Sequence, residues 1–126
     1  MQNTVAERWF SFVDRPGETV VVKIGLPNPH PTEPNEWVCP FQVNDHSGTA
    51  HGGDGLQALL HAIEAARSHL DASGMSPSLV WGLEPGNTGI PKYVPYSFGR
   101  AFAERIERLI EQEIEALVAH MKPTRG

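Results

Sequence analysis

The chain has 126 residues, 40% hydrophobic and 20% charged, a balance that suits a soluble globular protein and excludes a disordered or fibrous one. Acidic side chains outnumber basic ones by 15 to 10 and give a formal charge of -5, which argues against nucleic acid or an anionic membrane as the main partner and favours a basic one. The single cysteine, Cys39, rules out an intrachain disulfide; with no signal-peptide pattern and no run near the roughly 20 apolar residues of a spanning helix, the reading is a cytoplasmic protein.

This length predicts one domain over residues 1–126. Val5 to Val13, with Trp9, Phe10 and Phe12, has the β-branched and aromatic make-up of a strand. Asp14-Arg15-Pro16-Gly17-Glu18 is a tight connection, and Thr19 to Leu26, with Val20, Val21, Val22 and Ile24, completes a hairpin. Prolines 27, 29, 31 and 34 make the next stretch an extended surface loop, a stiff connector within the sheet. Glu36 to Val43 reads as a third strand, which Pro40 pushes towards an edge or a bulge. Asn44 to Gly53 is polar and glycine-rich and reads as a loop.

The clearest structural signal follows. Asp54 is placed to accept from the free amides of a first helical turn, and Gln57 to reach back to the Asp54 amide, as in a capping box. Leu56, Leu59, Leu60, Ile63, Ala66 and Leu70 then fall on one stripe, with Ala58, Ala62 and Ala65 on a second flank of small residues. The helix runs from about Leu56 to Leu70 and stops near Ser73-Gly74. Ser78 to Leu83 reads as a short buried strand, Glu84 to Gly89 as a turn, and Ile90 to Val94 as a brief extended segment. Ser97 is the expected cap of a long last helix over residues 97–121, which Pro123 stops, and whose apolar positions drift around its axis. Its second half is a candidate dimer seam.

Four groups of residues carry candidate chemistry. Cys39 with His46, His51 and Asp54 supplies the thiol, imidazole and carboxylate of a small enzyme, or the ligands of a metal site, but no family-type cysteine motif and no paired zinc-ligand spacing accompanies them. His61 shares a polar strip with Gln57, Glu64 and Ser68 that reads as solvent-facing. Glycines 48, 52, 53 and 55 precede a helix as in a phosphate loop, yet the lysine of that motif is missing and Asp54 sets a negative charge where an anion would sit, so nucleotide binding is rejected. Glu104, Glu107, Glu111 and Glu115 line one side of the last helix; like charges at this spacing are mildly unfavourable, which makes the strip a candidate docking site for a basic partner.

Glu36-Trp37-Val38-Cys39-Pro40-Phe41, then Gly53-Asp54-Gly55-Leu56-Gln57-Ala58-Leu59 with Ala62-Ile63, and later Leu79-Val80-Trp81 and Gly89-Ile90-Pro91, resemble a family of short uncharacterised bacterial proteins. The likeness covers roughly the middle half of the chain and not the last helix. It implies a bacterial α+β domain, carries no activity and transfers no functional residue. Small acidic bacterial domains of this kind also resemble, as a class, immunity proteins that neutralise a toxin by binding it.

The sequence therefore predicts an α+β fold: an antiparallel sheet of four or five strands, with a mid-chain helix and a long C-terminal helix packed on one face and the tryptophans and phenylalanines forming much of the core. The expected function is non-enzymatic protein binding, most concretely an immunity protein that sets Glu104, Glu107, Glu111 and Glu115 against a basic toxin surface, with no cofactor, metal, nucleic acid or membrane involved. Two other classes stay open: a small enzyme or metal-binding protein using Cys39, His46, His51 and Asp54, and a homodimeric structural module built on the C-terminal helix.

Overall fold

The computed structural model describes residues 1, 3–82 and 84–121, and these form two compact units, Met1–Tyr93 and Val94–Gly126. The fold class is α+β. In the first unit, β1 (Thr4–Phe12) and β2 (Thr19–Gly25) make the hairpin that the alternation of buried and open residues requires, with Trp9 opposite Val21 and Phe10 opposite Val20. A two-residue strand, β3 (Asn28–Pro29), lies inside the proline-rich connector. Next come β4 (Trp37–Val43) and β5 (His46–Gly52), then helix α1 (Gly55–Ala72) and the short β6 (Leu79–Val80). Across the sheet the order is β5, β4, β2, β1, β6, all antiparallel, with β3 beside the first residues of β4.

Two strands depart from the sequence expectation. The segment 44–53 is a strand for most of its length, because Asn44 takes a positive φ of 49° and closes a tight β4–β5 turn that pairs Val43 with His46. Its glycine is a packing residue: a Cβ at Gly48 would run into the Phe41 ring across the ladder. Pro40 also lies in an interior strand and not at an edge. On its other side β2 pairs as far as Phe41 and β3 resumes at Val38, so the ladder skips Cys39 and Pro40 and the missing N–H falls in the gap.

The core lies between the sheet and α1. Phe10, Val20, Val22, Ile24, Cys39, Phe41, Val43 and Ala50 come from the sheet, and Ala58, Ala62, Ala66 and Leu70 from α1. The buried face of α1 is Ala58, Ala62, Ala66 and Leu70, two residues of the small flank with the last two positions of the stripe, while Leu56, 66% exposed, and Leu60 turn outwards and Leu59 and Ile63 are partly buried. Close approach explains it, since a Cβ at Gly52 would collide with the backbone of Ala58. Of the tryptophans only Trp37, partly buried, packs against this core. Trp9 and Trp81 are both more than half exposed, and the buried aromatics are Phe10 and Phe41.

The second unit holds α2 (Arg100–Met121), entered through a single 3-10 turn at Tyr96–Phe98. Ser97 lies within that turn and is not the cap; Gly99, at φ 93°, accepts the first helical hydrogen bond from the Ala103 amide at 3.1 Å. Residues 90–94 form no strand, although Ile90 packs against the core. Leu83 and Pro123, named above as a strand end and a helix stop, lie outside the described residues. No described helix is long and apolar enough to cross a membrane.

Candidate functional site

The sheet holds the four residues of the Cys39 group apart. Cys39 is fully buried, its thiol donating to the Gly25 carbonyl at 3.3 Å, and burial raises its pKa above the ordinary thiol value. It is paired with Ala50, whereas His46 is paired with Val43, about 13 Å further along β4 at the rise of a strand. His51 stands opposite Val38, and strand alternation turns it to the face away from Cys39; there its Nδ1 lies 3.0 Å from Glu36 Oε1. Asp54 accepts from the Gln57 amide at 2.7 Å, and Gln57 Oε1 accepts from the Gly53 amide at 2.5 Å, one residue before the expected partner. These are the bonds of a helix cap, and they occupy the carboxylate. Among the described residues no group of three or more His, Cys, Asp or Glu side chains is placed to hold a metal ion.

The histidines make separate local contacts. His46 stacks on His69 of α1, ring centroids 3.9 Å apart and planes 4° from parallel. His61 is not free in solvent: its Nδ1 lies 2.6 Å from the His51 carbonyl oxygen and its ring meets Tyr93 edge-on. Glu64, from the same strip, accepts from the Tyr93 amide at 3.1 Å. The polar side of α1 thus ties down the segment that follows β6.

The glutamates of α2 have the opposite character. None of the described residues of this helix is buried. At about 100° per residue, Phe102, Ile106, Leu109, Ile110, Ile114, Leu117 and Met121 fall within an arc of roughly 140°. Glu104, Glu107, Glu111 and Glu115 form the adjoining strip, and Arg100 Nε pairs with Glu104 Oε1 at 2.7 Å. Glu113 lies inside the apolar arc, between the directions of Phe102 and Ile106.

Sequence reasoning missed one arrangement. Arg8 of β1 holds its guanidinium 3.6 Å over the Trp81 ring and donates from Nη1 to the Thr88 carbonyl at 3.1 Å. Gly89, at φ 69°, passes so close that a Cβ there would strike both Trp81 and Arg8. Trp81 and Gly89-Ile90-Pro91 stand out in the sequence, but Arg8 is 80 residues from Thr88 and nothing in the spacing links them.

Residues 6–92 match the family described as Domain of unknown function (DUF6968), most of the chain, and the chain belongs to that family. No curated protein and no solved structure gave a match. The matched segment ends before α2, as did the resemblance read from the sequence.

Proposed function

We propose that this member of the family is a non-enzymatic protein-binding domain that offers α2 to a partner with an apolar groove rimmed by basic side chains. The observation that carries the reading is the surface of α2: a wide apolar arc, no buried residue, and four glutamates beside it. An amphipathic helix with this pattern gains little by standing in water and gains by laying its apolar face in a groove. Glu113 sharpens the partner's chemistry. A groove that covers the arc must offer this carboxylate a cation, because an unpaired buried charge is costly. In a parallel pairing of two copies Glu113 would face its own counterpart, which favours a different, basic protein over a parallel homodimer.

The concrete form of this reading is an immunity protein that neutralises a bacterial toxin by direct binding, the glutamate strip steering it to a basic toxin surface. The test is to mix the purified chain with the product of the neighbouring gene and follow complex formation by calorimetry as salt rises from about 0.05 to 0.5 M, which shortens the range of charge attraction several-fold. A complex that weakens steeply with salt, and that is lost when Glu104, Glu107, Glu111 and Glu115 are all changed to Lys, supports the reading. No complex at low salt sinks it, and a dimer by light scattering without a partner complex replaces it with the homodimeric module.

A further inference from the structure

α1 does not cover its face of the sheet evenly: it lies over β4 and β5 and reaches β2 only lightly. On the β1 side that face is closed instead by the segment around Gly89-Ile90-Pro91. Between the two a groove of about 220 Å³ remains, lined by Ala6, Val22, Ile24, Ile63, Ala66 and Ile90. A dry cavity of about 150 Å³ accepts benzene, so this volume suits a ring with a short arm or a chain of roughly eight carbons.

The groove's one cation is Arg8, and its surroundings leave it available. Stacking on Trp81 and the bond to the Thr88 carbonyl hold the guanidinium in place. Among the described residues no carboxylate lies within ion-pair distance of it, and the rest of its N–H fork has no protein acceptor. Glu7 also borders the groove, but its carboxylate is on the opposite face of β1, where it accepts from Trp9 Nε1 at 3.0 Å. A planar fork fixed at the side of an apolar groove matches a carboxylate head on an apolar body.

We infer that this groove binds a small apolar monocarboxylate, its body between α1 and the Gly89–Pro91 segment and its carboxylate on Arg8. All of its lining residues belong to the Met1–Tyr93 unit.

Octanoate, octanol and octylammonium, titrated into the full chain by calorimetry with intrinsic tryptophan fluorescence as a second signal, test it. Octanoate binds saturably, one per chain, at least tenfold tighter than octanol, the margin of a charge-assisted hydrogen bond, and octylammonium binds more weakly than either. Arg8→Gln removes the preference for octanoate over octanol while octanol binding stays within about twofold; Arg8→Lys keeps the charge without the fork and retains part of the preference. Ala6→Leu, which adds bulk to the lining, weakens both ligands about tenfold. The inference is overturned if octanoate does not saturate, if octanol or octylammonium binds as tightly, or if Arg8→Gln leaves the preference intact. Should Arg8→Gln fail to fold, the order of the three ligands on the unaltered chain decides.

Discussion

The Phe41 ring occupies the space where a side chain at position 48 would begin, so the cross-strand pair works only with glycine on β5. Gly48→Val therefore gives a more strand-favouring residue at the expense of the Phe41 rotamer and the β4–β5 spacing. Overpacking of this kind costs about 1–3 kcal/mol, and a urea unfolding midpoint lowered with unchanged slope is the expected result. Cys39 makes a different prediction. Burial raises its folded pKa, so the native state keeps the thiol proton at pH values where the unfolded chain has lost it. The stability this contributes is complete below the ordinary thiol pKa, about 8.5, and is lost as pH rises towards the folded value. In Cys39→Ala that part of the alkaline decline disappears, which unfolding midpoints measured from about pH 7 to 10 on both proteins resolve; the native thiol also reacts slowly with alkylating reagents throughout the range.

At the level of elements, α1 illustrates how periodicity selects a helix correctly and its buried face only in part. Of the stripe read as inward, Ala66 and Leu70 are buried but Leu56 and Leu60 are not, because the Gly52 backbone meets α1 at Ala58 and small residues at 58 and 62 let the helix come this close to the sheet. Substitutions therefore rank against hydrophobicity. Leu56→Ser changes stability by no more than about 0.5 kcal/mol, as expected at an exposed position, whereas Ala62→Leu costs about 1–3 kcal/mol by overpacking. Thermal melting of the two variants side by side checks the order, and equal losses would restore the leucine stripe as the buried face. Asp54→Ala, which removes the cap bond to the Gln57 amide, lies between them at about 1 kcal/mol. The same limit hid β5. His46 to Gly52 has Thr49 as its one β-branched residue and no Val, Ile, Phe, Tyr or Trp to mark a strand; it is held by its ladder to β4, a partner that composition does not disclose.

For the whole molecule, the β1–β2 hairpin, the third strand, the capped helix and the long last helix were legible because each has a local cause: a turn sequence, a cap, a hydrophobic period. What was not legible depends on residues distant in the chain. The ladder gap that accommodates Pro40 needs both β2 and β3, and the Arg8–Trp81–Thr88 cluster joins the first strand to a late loop. The glutamate strip was legible as a helical period, and the scattering of Cys39, His46, His51 and Asp54 was not, since sequence spacing cannot tell which strand face a residue takes. Among the described residues every buried side chain lies between Phe10 and Leu79, and the family match spans residues 6–92. The first unit thus holds a core of its own, and a chain ending at Tyr93 is expected to melt cooperatively within about 5 °C of the full protein, a shift worth no more than about 1 kcal/mol in a domain of this size. The same truncated chain should bind octanoate like the full one and fail to bind the partner of α2. A truncated chain that unfolds without a cooperative transition would mean that residues beyond 93 complete the core; one that folds and still captures the partner would move the protein-binding surface from α2 to the first unit.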